Sequence, residues 1–316
     1  MTPLEFEESN KTRWSEFERL LDKRDPELNP ERFLALYRMC CEQLALAQAR
    51  GFPTHVIERL STMTAQGHQI IYRQSDFGLA RLRRVLLEDF PRSVRAQRRF
   101  VFAAAAIFLV PTFALGLAVY LRPELILSVV DNRTAQSFQQ MYAPSADAIG
   151  RVRNADGDWQ MFGFYIMNNI GIAFQCYVTG VVFGLGSLFF LAYNGAFGGA
   201  VGGYVANLGY GGTFFPFIAT HSAFELTAIV LCGAAGLRLG YSVVFPGRLA
   251  RIASLQTAAR DTSVVVFGAA AMLVIAAAIE AFWSSAAWVS PGAKYVFAAG
   301  CWILVVLFFL RRSRAH

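Results

Sequence analysis

Between Phe100 and Leu121 the chain carries no charged residue, and four more apolar stretches follow before Leu310. A helical segment of that length, rising about 1.5 Å per residue, crosses a hydrocarbon core of about 30 Å. Inside lipid every backbone N–H and C=O must find a partner within the protein, so a chain with several such stretches has few folds open to it. The expected class is all-α: a polytopic α-helical membrane protein. Composition agrees, since 55% of residues are hydrophobic and only 16% charged, against about 25% charged in soluble domains. The charges crowd into the first hundred positions. Two regions are therefore expected, a cytoplasmic helical region over 1–99 and a transmembrane domain over 100–316.

In the first region, Leu4, Phe6, Trp14, Phe17, Leu20 and Leu21 recur at helical spacing up to Asp25-Pro26. Asn29-Pro30 offers a cap and a first-turn proline for a second helix that ends at Gly51, and a third fits Pro53 to Tyr72. About seventy residues of helix make only a small core. His55 and His68 have no cysteine or histidine at ligand spacing and read as surface residues. From Asp76 to Phe100 an apolar face (Leu79, Leu82, Val85, Leu86, Phe90) is joined by seven arginines, from Arg81 to Arg99. Such a segment beside a span is expected to lie in the inner interface, against anionic lipid headgroups. These lipids account for the net charge of +7, and no nucleic-acid partner is assigned. Met1 to Asp25 lacks the apolar core of a signal peptide, so the N-terminus is expected to stay inside. No disulfide is expected among Cys40, Cys41, Cys176, Cys232 and Cys301, which show no framework spacing.

Six spans are expected. Phe100–Leu121 is the first, followed by a loop to Gly163. The run from Tyr165 to Leu208 is too long for one span, and Tyr193-Asn194-Gly195 is its natural break. That gives a second span over 168–192 and a third, short and glycine-rich, over 195–208, either crossing fully or re-entrant. Gly195, Gly199 and Gly203 recur every four residues with Gly198 and Gly202 beside them, and Gly180 and Gly184 form a further pair. Small residues at this spacing let helices approach closely. Pro216 to Leu237 is the fourth span, Thr262 to Ser284 the fifth and Ala293 to Leu310 the sixth. Arg238, Arg248, Arg251 and Arg260, and then Arg311, Arg312 and Arg314, place the intervening loop and both termini on the cytoplasmic side.

Polar residues in the spans are the candidate site. His221 and Glu225 lie one turn apart on one helix face, roughly 7 Å and 13 Å below an outer start at Pro216. Glu280 lies near the outer end of the fifth span, and Asn168 and Asn169 open the second. These five polar residues are expected to converge in the outer half of the bilayer. Two readings stay open. The side chains are interhelical hydrogen-bonding glue, or they line a functional cavity, because intramembrane carboxylates mark pathways and proton relays. One histidine with two glutamates is a weak metal signature, so no metal or cofactor is assigned. No HExxH occurs, no G-x-S-x-G surrounds Ser187, Ser222 or Ser284, and no phosphate-binding glycine loop is present. No catalytic residue is assigned.

Ile166-Met-Asn168-Asn169-Ile-Gly-Ile-Ala-Phe174, Tyr193-Asn194-Gly195, and His221-Ser-Ala-Phe-Glu225-Leu-Thr-Ala-Ile229 with Gly233-Ala-Ala-Gly236-Leu-Arg238-Leu-Gly240 resemble the stage II sporulation protein M family. The resemblance covers about Arg92 to Leu310. Ser222 departs from it, because the family commonly has glycine there and close backbone packing at that position is then in question. The N-terminal region is longer than in the sporulation members. The resemblance implies a multi-pass protein of the bacterial cytoplasmic (inner) membrane with no established enzymatic activity. It implies a scaffold that recruits other cell-envelope proteins, with an AAA-type ATPase and a second copy of the chain as candidate partners. The alternative is a transporter or channel subunit that uses the His/Glu cluster for proton-linked transport or gating.

Overall fold

The computed structural model describes residues 2–22, 30–73, 79–144, 157–286 and 288–311. The turn at Asp25-Pro26, the cap at Asn29, Asp76, part of the outer loop (145–156), Arg312 and Arg314 lie outside them. Among the described residues there is no strand. The chain divides into two compact units, 1–82 and 83–316.

In the first unit α1 (Pro3–Asp22), α2 (Pro30–Ala49) and α3 (Thr54–Arg73) pack together. Their apolar faces close over Phe6, Trp14, Phe17, Phe33, Leu36, Cys40 and Leu60. A short polar chain crosses that core: Trp14 Nε1 donates to Gln43 Oε1 at 2.6 Å, Gln43 Nε2 to Asn10 Oδ1 at 2.7 Å, and Asn10 Nδ2 to the Phe6 carbonyl at 2.9 Å. Each buried polar group thereby keeps a partner, which fixes the register of α1 on α2. Arg59 grips both carboxylate oxygens of Glu18 and stacks over the Trp14 ring. Burial pushes the Cys40 thiol up to about 11, so this side chain serves as packing. All five cysteines are free.

The basic segment comprises α4 (Leu79–Arg84), within which the division falls, a π-helical turn (Val85–Asp89) and α5 (Phe90–Ala96). Its apolar face divides. Leu87 stays exposed, whereas Phe90 and Val94 are buried, Phe90 between Gly268 and the rings of Phe308 and Phe309. Arg95 Nη1 donates to the Phe309 carbonyl at 3.0 Å, so one of the seven arginines closes a helix C-terminus.

The membrane bundle follows: α6 (Arg98–Leu121), the loop helix α7 (Asn132–Tyr142), α8 (Gly157–Val178), α9 (Leu185–Asn207), α10 (Gly211–Val244), α11 (Arg251–Ala278, prolonged by a π-helical turn, Ile279–Ser284) and α12 (Pro291–Leu310). Five of these are long and apolar enough to cross a membrane. The expected second span, α8, misses that measure, since its asparagine pair and glutamines dilute its apolar face. α10 is the central helix and touches α6, α8, α9, α11 and α12. α6 and α12 are peripheral and turn Phe102, Phe113, Leu117, Ile303 and Leu307 outward.

Helix boundaries depart from the expectation: α8 begins at Gly157 and α10 at Gly211, so that Asn168 and Asn169 lie within the one and Pro216 within the other, and two further departures reshape the bundle. The break between the second and third membrane helices is not at Tyr193 and Asn194, which sit inside α9. Asn194 Nδ2 donates to the Phe190 carbonyl at 2.7 Å, a bond within one helical turn that uses up its polarity without opening the helix. The turn is instead at Thr179–Gly184, where Phe183 (φ 53°) and Gly184 (φ 81°) adopt left-handed backbone and the Ser187 hydroxyl donates to the Cys176 carbonyl at 2.6 Å. α9 is thus 23 residues long, with no short re-entrant piece at 195–208. The loop expected from Arg238 onward shrinks to 245–250, because α10 runs on to Val244 and α11 starts at Arg251. Hydropathy marks the lipid-crossing part of a helix and leaves unmarked the polar turns that extend it. At 34 residues, α10 is about 51 Å long.

Glycines let α6 and α9 meet backbone to backbone. Gly195, Gly199 and Gly203 face the carbonyl oxygens of Phe108, Thr112 and Gly116. Gly180 and Gly184 likewise lie against Gly236 and Gly240 of α10. A Cβ at Gly198 would meet nothing within 4 Å beyond its own helix backbone, and one at Gly202 would meet the Phe214 ring at 3.7 Å.

Candidate functional site

α6, α8, α9 and α10 enclose a cavity of about 840 Å³, with Asn168, Asn169, His221, Glu225 and Glu280 all on its wall. Three separate helices supply these residues. On α8, Asn168 and Asn169 sit in mid-helix instead of opening it. On α10, one helical turn separates His221 from Glu225, and because this helix starts at Gly211, His221 lies about 15 Å from its N-terminal end. Glu280 sits in the π-helical turn beyond α11. The wider π turn brings Glu280 and Ser284 onto one side, facing α10; such turns recur at functional sites.

At the cavity floor, His221 Nε2 is 3.7 Å from Glu225 Oε2, and one ligating atom from each of His221, Glu225 and Glu280 lies within 4.8 Å of the others. On the other side of the ring, Nδ1 is 3.1 Å from Ser284 Oγ, which in turn touches Thr220 Oγ1 and the Ile279 carbonyl. Lys294, buried at the start of α12, donates from Nζ to the Ser284 carbonyl at 2.6 Å. On α8, Asn168 Nδ2 donates to Asn169 Oδ1 at 2.9 Å, while Asn169 Nδ2 is buried without a partner among the described residues. Ser222 also lines the cavity, and the hydroxyl that departs from the family motif is spent on its own helix, donating to the Ala219 carbonyl at 2.9 Å.

Above the floor the wall becomes aromatic, with Tyr120, Phe138, Tyr142 and Phe214. α7 is the roof. Gln139 Nε2 donates to Tyr204 Oη at 2.6 Å, and Thr213 Oγ1 to the Tyr142 carbonyl at 2.5 Å. Phe113 and Leu117 of α6 and Phe164 of α8 line the cavity yet stay exposed, so it can be reached from the lipid-facing side between those helices. Thr220, Ser284 and Lys294 were not singled out in the sequence. The signals for the last two were a serine four residues after Glu280 and a lone cation near the start of an apolar span. Thr220 carried none.

A family model described as Stage II sporulation protein M matches residues 100–285, from α6 through the Glu280 turn. A second, described as Domain of unknown function (DUF8413), matches residues 4–73, the three-helix unit. No curated protein and no solved structure matches the chain.

Proposed function

Because the chain belongs to the stage II sporulation protein M family, we propose that it is a non-enzymatic scaffold in the bacterial cytoplasmic membrane that holds other cell-envelope proteins together. The observation that carries this reading is the division of labour along the chain. A three-helix unit with its own core and its own family match precedes a bundle rich enough in apolar helices to anchor it. A compact helical unit of that kind is a docking module, and an AAA-type ATPase and a second copy of the chain are the candidate partners. Both termini are cytoplasmic in this reading, and the arginines beside the bundle rest on anionic lipid.

Affinity purification from native membranes, with the full chain beside a chain lacking residues 1–73, tests it. A defined set of envelope proteins should co-purify with the full chain and be lost with the truncation. Capture of the same set by both chains would remove the docking role of the three-helix unit. Transport or gating is the second reading, favoured by the cavity and its carboxylates. Its signature is loss of cellular function in well-folded Glu225→Gln and Glu280→Gln variants that still capture every partner.

A further inference from the structure

We propose that His221, Glu225 and Glu280 bind one divalent transition-metal cation of the zinc class at the cavity floor. This site is independent of the scaffold reading. Within this trio the buried Glu225 Oε2 is left without a hydrogen bond among the described residues. Ser284 has a single hydroxyl proton, with the Ile279 carbonyl at 3.1 Å and Thr220 Oγ1 in contact as acceptors. When that proton goes to either of these, the ring donates from Nδ1 to Ser284 and keeps a lone pair on Nε2. That lone pair faces Glu225 Oε2, a buried oxygen with no hydrogen-bond partner among the described residues. Glu280 supplies a third ligating atom to the same cluster. A histidine nitrogen, an unpartnered buried carboxylate oxygen and a second carboxylate, all within 4.8 Å of one another, fit a cation between them.

Geometry and charge fit a metal. Ligand atoms around a tetrahedral zinc at about 2.0–2.1 Å are about 3.4 Å from one another, close to the 3.7 Å between Nε2 and Oε2. Small side-chain rotations bring the remaining atoms in from within 4.8 Å. Two carboxylates and a divalent ion sum to zero, which relieves the expense of burying the carboxylates in a membrane. One imidazole and two carboxylates suit zinc or manganese better than soft, thiolate-seeking ions. The Ser284 contact to Nδ1 is the outer support that metal-bound histidines ordinarily have. A second observation points to a ligand at the same place: Asn169, only 3% exposed, leaves its Nδ2 unpartnered on the wall of this cavity. Three protein ligands leave a coordination position open toward the cavity, and the Asn169 amide can donate to a water or other oxygen ligand there.

The test uses the full chain in phospholipid nanodiscs, stripped with a chelator, exposed to zinc chloride and desalted, with metal measured by elemental analysis. About one zinc per chain should be retained, and zinc should raise the thermal midpoint. Magnesium in its place should wash out. The Glu225→Gln/Glu280→Gln double variant should lose at least about tenfold of the zinc and show no thermal shift, with Glu225→Asp intermediate. A monodisperse wild-type chain that retains no zinc would overturn the proposal, and protons alone would then bridge the cluster. Equal zinc in wild type and double variant would also overturn it, by placing the metal elsewhere in the chain. Should the double variant fail to fold, X-ray absorption of the zinc-loaded wild type decides. Nitrogen and oxygen ligands without sulfur are expected, and a sulfur ligand contradicts the site.

Discussion

A single methyl group separates Gly199 from a residue that cannot sit where it does. A Cβ at this position would fall on the Thr112 carbonyl oxygen of α6, and backbone, unlike a side-chain tip, cannot turn aside. Gly199→Ala should therefore push α6 from α9 and lower stability by about 1–3 kcal/mol, read as a lower thermal midpoint in detergent. Gly198→Ala supplies the comparison. A Cβ there would meet nothing within 4 Å beyond its own helix backbone, and alanine is the better helix former by about 1 kcal/mol, so this variant should be at least as stable as the parent. Equal destabilisation by both would mean that the two helices do not meet along this row. The same reasoning explains why neighbouring glycines of one ladder do different work, some carrying helix contact and others leaving room on the cavity wall.

Among the elements, α7 is a short helix of 11 residues. Its N-terminus is capped by Asp131, whose side chain accepts from the Thr134 backbone N–H at 2.8 Å. That bond holds the Asp131 carboxyl below its ordinary range, because it stabilises the charged form. A carboxyl depressed in the folded state contributes stability that is present above its unfolded pKa and lost as pH falls through the folded one. α7 should consequently loosen on acidification below about pH 4, and Asp131→Ala should loosen it already at neutral pH. Amide hydrogen exchange over 132–142 measures both. Unchanged protection in the variant would show that Gln139 and Thr213 hold the roof without the cap. The π-helical turn after α11 is the converse case, a locally irregular element that aims Glu280 and Ser284 toward α10 together.

For the whole molecule, the arginines predict sidedness, and the alternation of helices carries it from one loop to the next. Engineered cysteines at Ala143 and Gly211 should react with an impermeant reagent added outside, and one at Arg251 should not. Reaction at Arg251 from outside would invert the bundle. α8 bears the strain of this prediction, since it is the membrane helix with the weakest apolar signal. Asn168 and Asn169 are turned to the cavity, so in the six-span arrangement these polar groups face protein and not lipid.

Sequence by itself determined the class of this protein. Apolar length and arginine placement are local quantities, and the demand that lipid makes on backbone polar groups turns them directly into helices. The row Gly195, Gly199, Gly203 was legible for the same reason, since a four-residue period is a property of one helix. The break at Thr179–Gly184 was not, because Asn194 looked like a helix breaker and spends its side chain on its own helix. Only the tertiary structure decided which polar groups meet. His221 and Glu225 share a face through α10 alone, but Glu280, Ser284, Asn169 and Lys294 reach the same place from other helices. Their distances depend on where the backbone of each helix lies, and that depends on how closely glycine lets it approach.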